Sequence, residues 1–215
     1  MLSNSLKEFY ASAAATYAAA LPDNAAAVHY LTKRGLSEDN ARFFQLGVVA
    51  HPFPGHERSA GRLVIPYLNA SGGVDGMAFR CIEHEDCKPV HNDKYLWPSG
   101  VDRRLFNSRA LDDDSPYIAI CEGEMDTITA VQAGIPAVGV PGVKAWQRWW
   151  SRCFRGYDTV FVLADADDSG EGREMAEKVS SHVQSARVVM MPEGQDVNSF
   201  VLANGPDALR ARLQL

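Results

Sequence analysis

The chain has 215 residues, 46% of them hydrophobic and 22% charged, with a net charge of −6 from 21 Lys and Arg against 27 Asp and Glu. That length suffices for one large or two small domains with real cores, and the balance excludes disordered, collagenous and coiled-coil classes. The acidic excess disfavours a protein that grips duplex DNA by surface charge, but not one that meets nucleic acid through bound metal.

No run of about 18 apolar residues exists, so no membrane span is expected. The opening Met1-Leu2-Ser3-Asn4 has neither a basic n-region nor an apolar core. A signal peptide is therefore not expected, and the cytoplasm is the default compartment. The cysteines Cys81, Cys87, Cys121 and Cys153 do not read as a disulfide framework. Cys121 and Cys153 lie in apolar-looking elements and are expected to be buried.

Leu2, Leu6, Phe9, Tyr10, Ala13 and Tyr17 recur at helical spacing and predict a helix that Pro22 ends. Asp23 is placed to cap a second helix, stopped at Gly35, and Ser37 a third, through Phe44 and ending at Gly47. Gly61 to Tyr67 and Val74 to Ile82 read as strands of a hairpin turned at Gly72-Gly73. Residues 83–104 read as a loop. Asp112-Asp113-Asp114-Ser115-Pro116 is a polar break, read as a solvated linker rather than a metal site, and it divides the chain into 1–114 and 115–215.

After the break, short apolar strands alternate with helices. Strands are expected at Tyr117 to Cys121, Pro136 to Val140, Thr159 to Ala164 and Arg187 to Met191. Helices are expected from Glu124 to Ala133, Lys144 to Phe154, Gly172 to Gln184 and after Pro206. This alternation predicts a parallel sheet, and hence α/β architecture for the second half, with a mixed α+β first half.

Ligands of open parallel sheets bind beyond the carboxyl ends of the strands. Three of those ends are acidic here. The first strand exits into Glu122-Gly123-Glu124-Met125-Asp126, the third into Asp165-Ala166-Asp167-Asp168, and the fourth into Glu193-Gly194-Gln195-Asp196. Asp126 lies one helical turn beyond Glu122, and Asp165 and Asp167 share a side of an extended segment. Clustered carboxylates repel unless a cation neutralises them, and hard oxygen donors suit Mg²⁺ or Mn²⁺. Glu124 and Glu171 are read instead as charges favoured at helix starts.

Glu122-Gly123 with Asp126, Asp165-x-Asp167 with Gly170, and Asp196, in this order, resemble the Toprim domain of primases, topoisomerases and some nucleases. Upstream, Tyr30 to Ser37, Phe44 to Gly47, Gly61 to Tyr67, Gly76 to Arg80 and Lys94-Tyr95-Leu96 resemble the amino-terminal half of the DnaG-type primase core. Gln195 to Phe200 is similar to a further segment of that family, closest to its phage members. The resemblance covers roughly residues 27–205. It implies a Rossmann-like Toprim subdomain after a smaller mixed subdomain with a basic groove.

The resemblance further implies metal-dependent synthesis of short RNA primers on single-stranded DNA from NTPs. Glu122, Asp126, Asp165 and Asp167 would be the catalytic acids. Glu122, Asp165, Asp167 and Asp196 would hold two Mg²⁺ or Mn²⁺ ions. Arg62, Arg80 and Lys94, with Arg103 and Arg104, would contact nucleotide or template. Two departures stand out: Glu171-Gly172 precede Arg173 where the family has Arg directly after the loop glycine, and no zinc-binding or helicase region is recognised. A separate zinc-binding or helicase partner is therefore expected. Cys81, His84, Cys87 and His91 lack a usual zinc spacing, so zinc is not expected there. Trp146, Trp149 and Trp150 are read as a core-facing stripe rather than a base-stacking surface. The competing functions are a Toprim nuclease, with water as nucleophile, and a non-catalytic nucleotide-binding subunit.

Overall fold

A computed structural model describes residues 3–83, 93–98, 102–166 and 170–215. The chain divides into two compact units, Met1–Asp102 and Arg103–Leu215.

The first unit opens with α1 (Asn4–Ala20), whose Ser3 hydroxyl accepts the Leu6 N–H, followed by α2 (Ala25–Lys33) and α3 (Glu38–Phe43). Asn24, not Asp23, caps α2, its side chain taking the Ala27 N–H at 2.9 Å. The strands β1 (Gly47–Val48), β2 (Leu63–Leu68), β3 (Val74–Arg80) and β4 (Tyr95–Leu96) form an antiparallel meander. β4 lies in the stretch expected to be a loop. Two residues suffice because Phe79 and Arg80 of β3 pair with Leu96 and Tyr95.

Tyr10, Ala13, Ala14 and Tyr17 form the buried face of α1. Their small members let the sheet come close. A Cβ at Gly47 would lie 2.5 Å from the Tyr17 carbonyl carbon, so only glycine allows β1 to pass there. The Tyr17 hydroxyl accepts the Phe53 N–H and sits 2.9 Å from His56 Nδ1, to which its own hydrogen can be given.

In the second unit, β5 (Tyr117–Cys121), β6 (Ala137–Gly139), β7 (Thr159–Ala164) and β8 (Ala186–Met190) form an all-parallel sheet in the order β6-β5-β7-β8. Its helices are α4 (Glu124–Gln132), α5 (Glu171–Ser180), α6 (Val197–Asn204) and α7 (Pro206–Leu213). Alternate residues serve opposite faces. Ile118, Ile120, Val160 and Val162 pack with Trp146, Trp150, Phe154, Met175 and Val179, whereas Ala119, Cys121, Phe161 and Leu163 pack with Ala130, Phe200, Leu209 and Leu213. Burial on both faces is the reason these strands read as unbroken apolar runs.

Four expectations need correction. The helix expected from Lys144 to Phe154 is two 3-10 segments, Val143–Ala145 and Arg148–Phe154. Trp146 and Trp150 face inward but Trp149 is 61% exposed, so the tryptophans are not one core stripe. Cys153 on the second segment is exposed, while Cys121 is buried as expected. Finally, α6 forms where only a loop was read before Pro206, because Asp196 and Ser199 close a capping box around its first turn.

The unit boundary precedes Asp112. Residues 103–114 belong with the parallel sheet because Phe106 exchanges backbone hydrogen bonds with Gly139 and Asn107 Nδ2 donates to the Ala137 carbonyl at 2.8 Å. Leu105 and Ala110 join the same core. Asp112, Asp113 and Asp114 are exposed, as a solvated run should be.

Candidate active site

The strand order creates the site. β6 lies on one side of β5 and β7 on the other, so the chain reverses direction across the sheet between β5 and β7. That is the switch point where open α/β sheets bind ligands. Glu122 leaves β5 at this point and Asp165 leaves β7, with Ile120 paired to Val162 just before them. Both side chains are half-buried.

The neighbouring loops are tied to this edge by backbone. Met191 N donates to the Ala164 carbonyl, Ala166 N to the Gln195 carbonyl, and Gly194 N to the Ala166 carbonyl. These bonds hold the loop carrying Asp196 against the loop carrying Asp165. Asp196 caps α6, its Oδ1 accepting the Ser199 N–H at 2.6 Å. Asp126 is buried and its Oδ1 accepts the Asn198 N–H at 2.9 Å, which fastens α4 to the first turn of α6. The Asn198 amide also donates to Thr129 Oγ1 at 2.8 Å.

Two glycines allow this closeness. A Cβ at Gly172, in the first turn of α5, would lie 2.3 Å from the Asp165 carbonyl oxygen and 2.8 Å from its nitrogen. A Cβ at Gly139 would lie 2.5 Å from Thr127 Oγ1 and 2.9 Å from the Gly123 carbonyl oxygen. Gly172 is thus the residue that lets α5 start against Asp165.

Electrostatics report the same convergence. The Cys121 thiol is pushed well above its ordinary range by burial first, then by the nearby charges of Asp126 and Asp165, with the Thr127 hydroxyl acting the other way. Glu122 Oε2 and Asp165 Oδ1 are buried oxygens that accept no hydrogen bond among the described residues, although both side chains have other interactions. Hard oxygen atoms of this kind fit Mg²⁺ or Mn²⁺. Asp167 lies outside the described residues. Among the described ones no group of three His, Cys, Asp or Glu is drawn together tightly enough to form a metal site.

The basic candidates separate into two kinds. Arg62 is buried and its Nη1 donates to the Asp93 carbonyl at 3.0 Å. Arg80 is buried too, hydrogen-bonded to the Tyr95 hydroxyl, with its guanidinium 5.6 Å from the Tyr30 ring centroid and 5.0 Å from that of Tyr95. Both therefore brace the β4 segment. Lys94 and Arg103 are exposed and Arg104 half-exposed, with Arg103 Nη1 donating to the Pro141 carbonyl at 2.8 Å. Of the candidate zinc ligands, Cys81 is buried, and His84, Cys87 and His91 lie outside the described residues.

Sequence reasoning gave no packing role to Asn198, Thr129, Gly139 or Gly172. The spacing of Asp126 and Thr129, three apart on one helix, was the available signal for the first two. No local pattern marks the glycines, whose neighbours come from other elements. Glu124, read as a charge favoured at a helix start, is the first residue of α4 and is only 3% exposed.

Comparison with known proteins gives the arrangement a family. A Toprim domain is matched over residues 117–207. The gene 57 protein of Mycobacterium phage D29 is 42% identical over 157 residues, covering 71% of this chain and 98% of that protein. The DNA primase of Pseudomonas putida is 28% identical, covering 99% of this chain, which spans only 37% of that primase's length. Among solved structures, the RNA polymerase domain of Mycobacterium tuberculosis primase DnaG, in complex with a DNA duplex bearing a 6-nucleotide overhang, superposes with a TM-score of 0.79. That match is 23% identical and covers all of this chain and 81% of that one. The chain carries a Toprim domain, belongs to the family of the gene 57 protein of Mycobacterium phage D29, and resembles DnaG-type primase catalytic cores in sequence and fold.

Proposed function

We propose that this chain is the catalytic core of a DNA primase, synthesising short RNA primers on single-stranded DNA by metal-dependent nucleotidyl transfer. The observation that carries the reading is the pair Glu122 and Asp165 at the switch point of the parallel sheet, with the Asp196 loop tied beside them. In the reaction, the 3′-hydroxyl of one nucleotide attacks the α-phosphate of an incoming NTP. The P–O bond to pyrophosphate breaks, and the hydroxyl proton leaves to a base.

Glu122 serves as that base or as a metal ligand. Glu122 and Asp165, with Asp167 and Asp196, would hold the divalent ions. Asp196 has one oxygen committed to its helix cap. Mg²⁺ or Mn²⁺, when bound, supplies charge neutralisation for the phosphates. Asp126 acts by positioning, since its carboxylate holds the start of α6 beside α4.

Lys94, Arg103 and Arg104 are assigned to nucleotide or template contact, with Arg62 and Arg80 shaping the Lys94 segment. The DNA bound to the mycobacterial domain supports a DNA partner. A separate zinc-binding or helicase protein as partner, a division of labour between the two compact units, and a place in the cytoplasm (the host's, for a phage protein) belong to the same proposal. Among the described residues no helix is long and apolar enough to cross a membrane.

The test uses the full chain with single-stranded template, NTPs and Mg²⁺ or Mn²⁺. Short labelled RNA products are expected. Glu122→Gln and Asp165→Asn should each reduce synthesis by at least about 100-fold while the circular dichroism spectrum is retained. DNA degradation without synthesis, or synthesis indifferent to both substitutions, overturns the reading.

A further inference from the structure

Between Asp126 and Asp158 the sequence contains no acidic residue but four basic ones, Lys144, Arg148, Arg152 and Arg155, in a chain of net charge −6. All four are exposed. None forms a hydrogen bond or ion pair among the described residues, unlike Arg42, which pairs with Glu38 at 2.7 Å and Asp39 at 3.2 Å. Trp149 sits among them, 61% exposed, although tryptophan is highly buried on average.

The 3-10 winding organises these side chains. Residues three apart eclipse each other in a 3-10 helix, with a rise of about 2 Å per residue, so they repeat every ~6 Å along one side. In Arg148–Phe154 and its cap Arg155, Trp149, Arg152 and Arg155 are spaced three apart and all are exposed. Trp150 and Phe154 face inward at 2% and 1% exposure and anchor the segment to the sheet. The outcome is a row of one aromatic face and two cations on a fixed backbone. Asp158, exposed, ends the row.

We propose that this row is a binding surface for a single strand of nucleic acid, with an unpaired base stacked on Trp149 and phosphates on Arg152 and Arg155. Aromatic platforms interleaved with cations suit single strands, because every base has a π-face and every step carries a negative charge. A duplex offers no unstacked base to the ring. An acidic protein surface would use the cations but would leave the indole without its stacking partner. The proposal rests on the reading above only in taking the occupant to be nucleic acid. It does not involve the carboxylates of the sheet edge.

The experiment is binding of a labelled short oligothymidylate to the full chain, followed by anisotropy across a salt series. Trp149→Ala should weaken binding about tenfold, and Trp149→Phe should restore most of it. Arg152→Ala with Arg155→Ala should lower the magnitude of the log–log salt slope by about 1.4. Saturating oligomer should slow alkylation of the adjacent exposed Cys153, read on its own peptide by mass spectrometry. Unchanged affinity, slope and Cys153 labelling overturn the proposal. Loss in the arginine variant with none in Trp149→Ala overturns the stacking row and leaves a purely electrostatic patch. Glu122→Gln, which removes synthesis under the primase reading, should leave oligothymidylate binding intact, so the two readings fail separately.

Discussion

The two units treat their charged residues in opposite ways. In the first, the guanidiniums of Arg62 and Arg80 are buried and spend their hydrogen bonds on the β4 segment. In the second, carboxylates gather at the sheet edge while the arginines of residues 148–155 stand in solvent. Sheet topology explains the contrast. An antiparallel meander sends its strand ends alternately to both edges, so no single edge collects them. A parallel sheet sends every carboxyl end to one edge, where acids distant in sequence can meet. Buried cations in the first unit stabilise a short edge strand, whereas the second unit brings acids from separate strands to one edge.

The same contrast holds among the tryptophans and glycines, and substitutions there can break it. Trp150→Ala should cost about 3–5 kcal/mol in urea unfolding, whereas Trp149→Ala, one residue away, should stay within about 0.5 kcal/mol. Equal losses would show that the 3-10 segment is not oriented as described. Gly172→Ala forces a Cβ against the Asp165 backbone and should lower primer synthesis by about 100-fold through displacement of that carboxylate. Gly47→Ala meets the α1 backbone just as closely, yet should act on stability alone, by about 1–3 kcal/mol, with the folded fraction keeping its specific activity. Comparable activity losses in both variants would erase the distinction between a glycine that supports a sheet and one that supports a site.

The smallest expected effect concerns His56. Burial holds its imidazole below the ordinary value, with the Glu57 charge acting weakly in the other direction. The unfolded chain therefore takes up the proton first. The stability that neutral His56 contributes is complete above the unfolded value of about 6.5 and is lost as pH falls below it toward the folded value. Differential scanning calorimetry between about pH 7.5 and 5.5 should show a melting temperature that falls with pH, and His56→Gln should remove that part of the slope. An unchanged slope would mean that burial does not hold the His56 ring neutral.

Much of the second unit was legible in the chain itself. The strand Tyr117–Cys121 and the strand Thr159–Ala164 coincide with their apolar runs, because both faces of each are covered and the run is unbroken. The acids were legible as strand-end residues for the same reason. Errors arose where local pattern underdetermines geometry. An i, i+3, i+4 spacing of Trp146, Trp149 and Trp150 fits an α-helix, but packing against the sheet selected 3-10 turns. Asp196 looked only like an acidic loop residue, because its capping box depends on Ser199 turning back. Arg62 and Arg80 were expected at nucleotide or template, and only their surroundings reveal that both are buried against the β4 segment.

By itself, the sequence determined the order of elements, the parallel character of the second sheet and the identity of the acids at its strand ends. Hydrophobic periodicity and strand-end position are local properties, written within a few residues. Tertiary structure alone decided that Glu122 and Asp165 share the switch point, that Asp126 is committed to Asn198, and that Gly172 must remain glycine. Each of these depends on backbone from a distant segment lying within a few ångströms, and no window of sequence contains both partners.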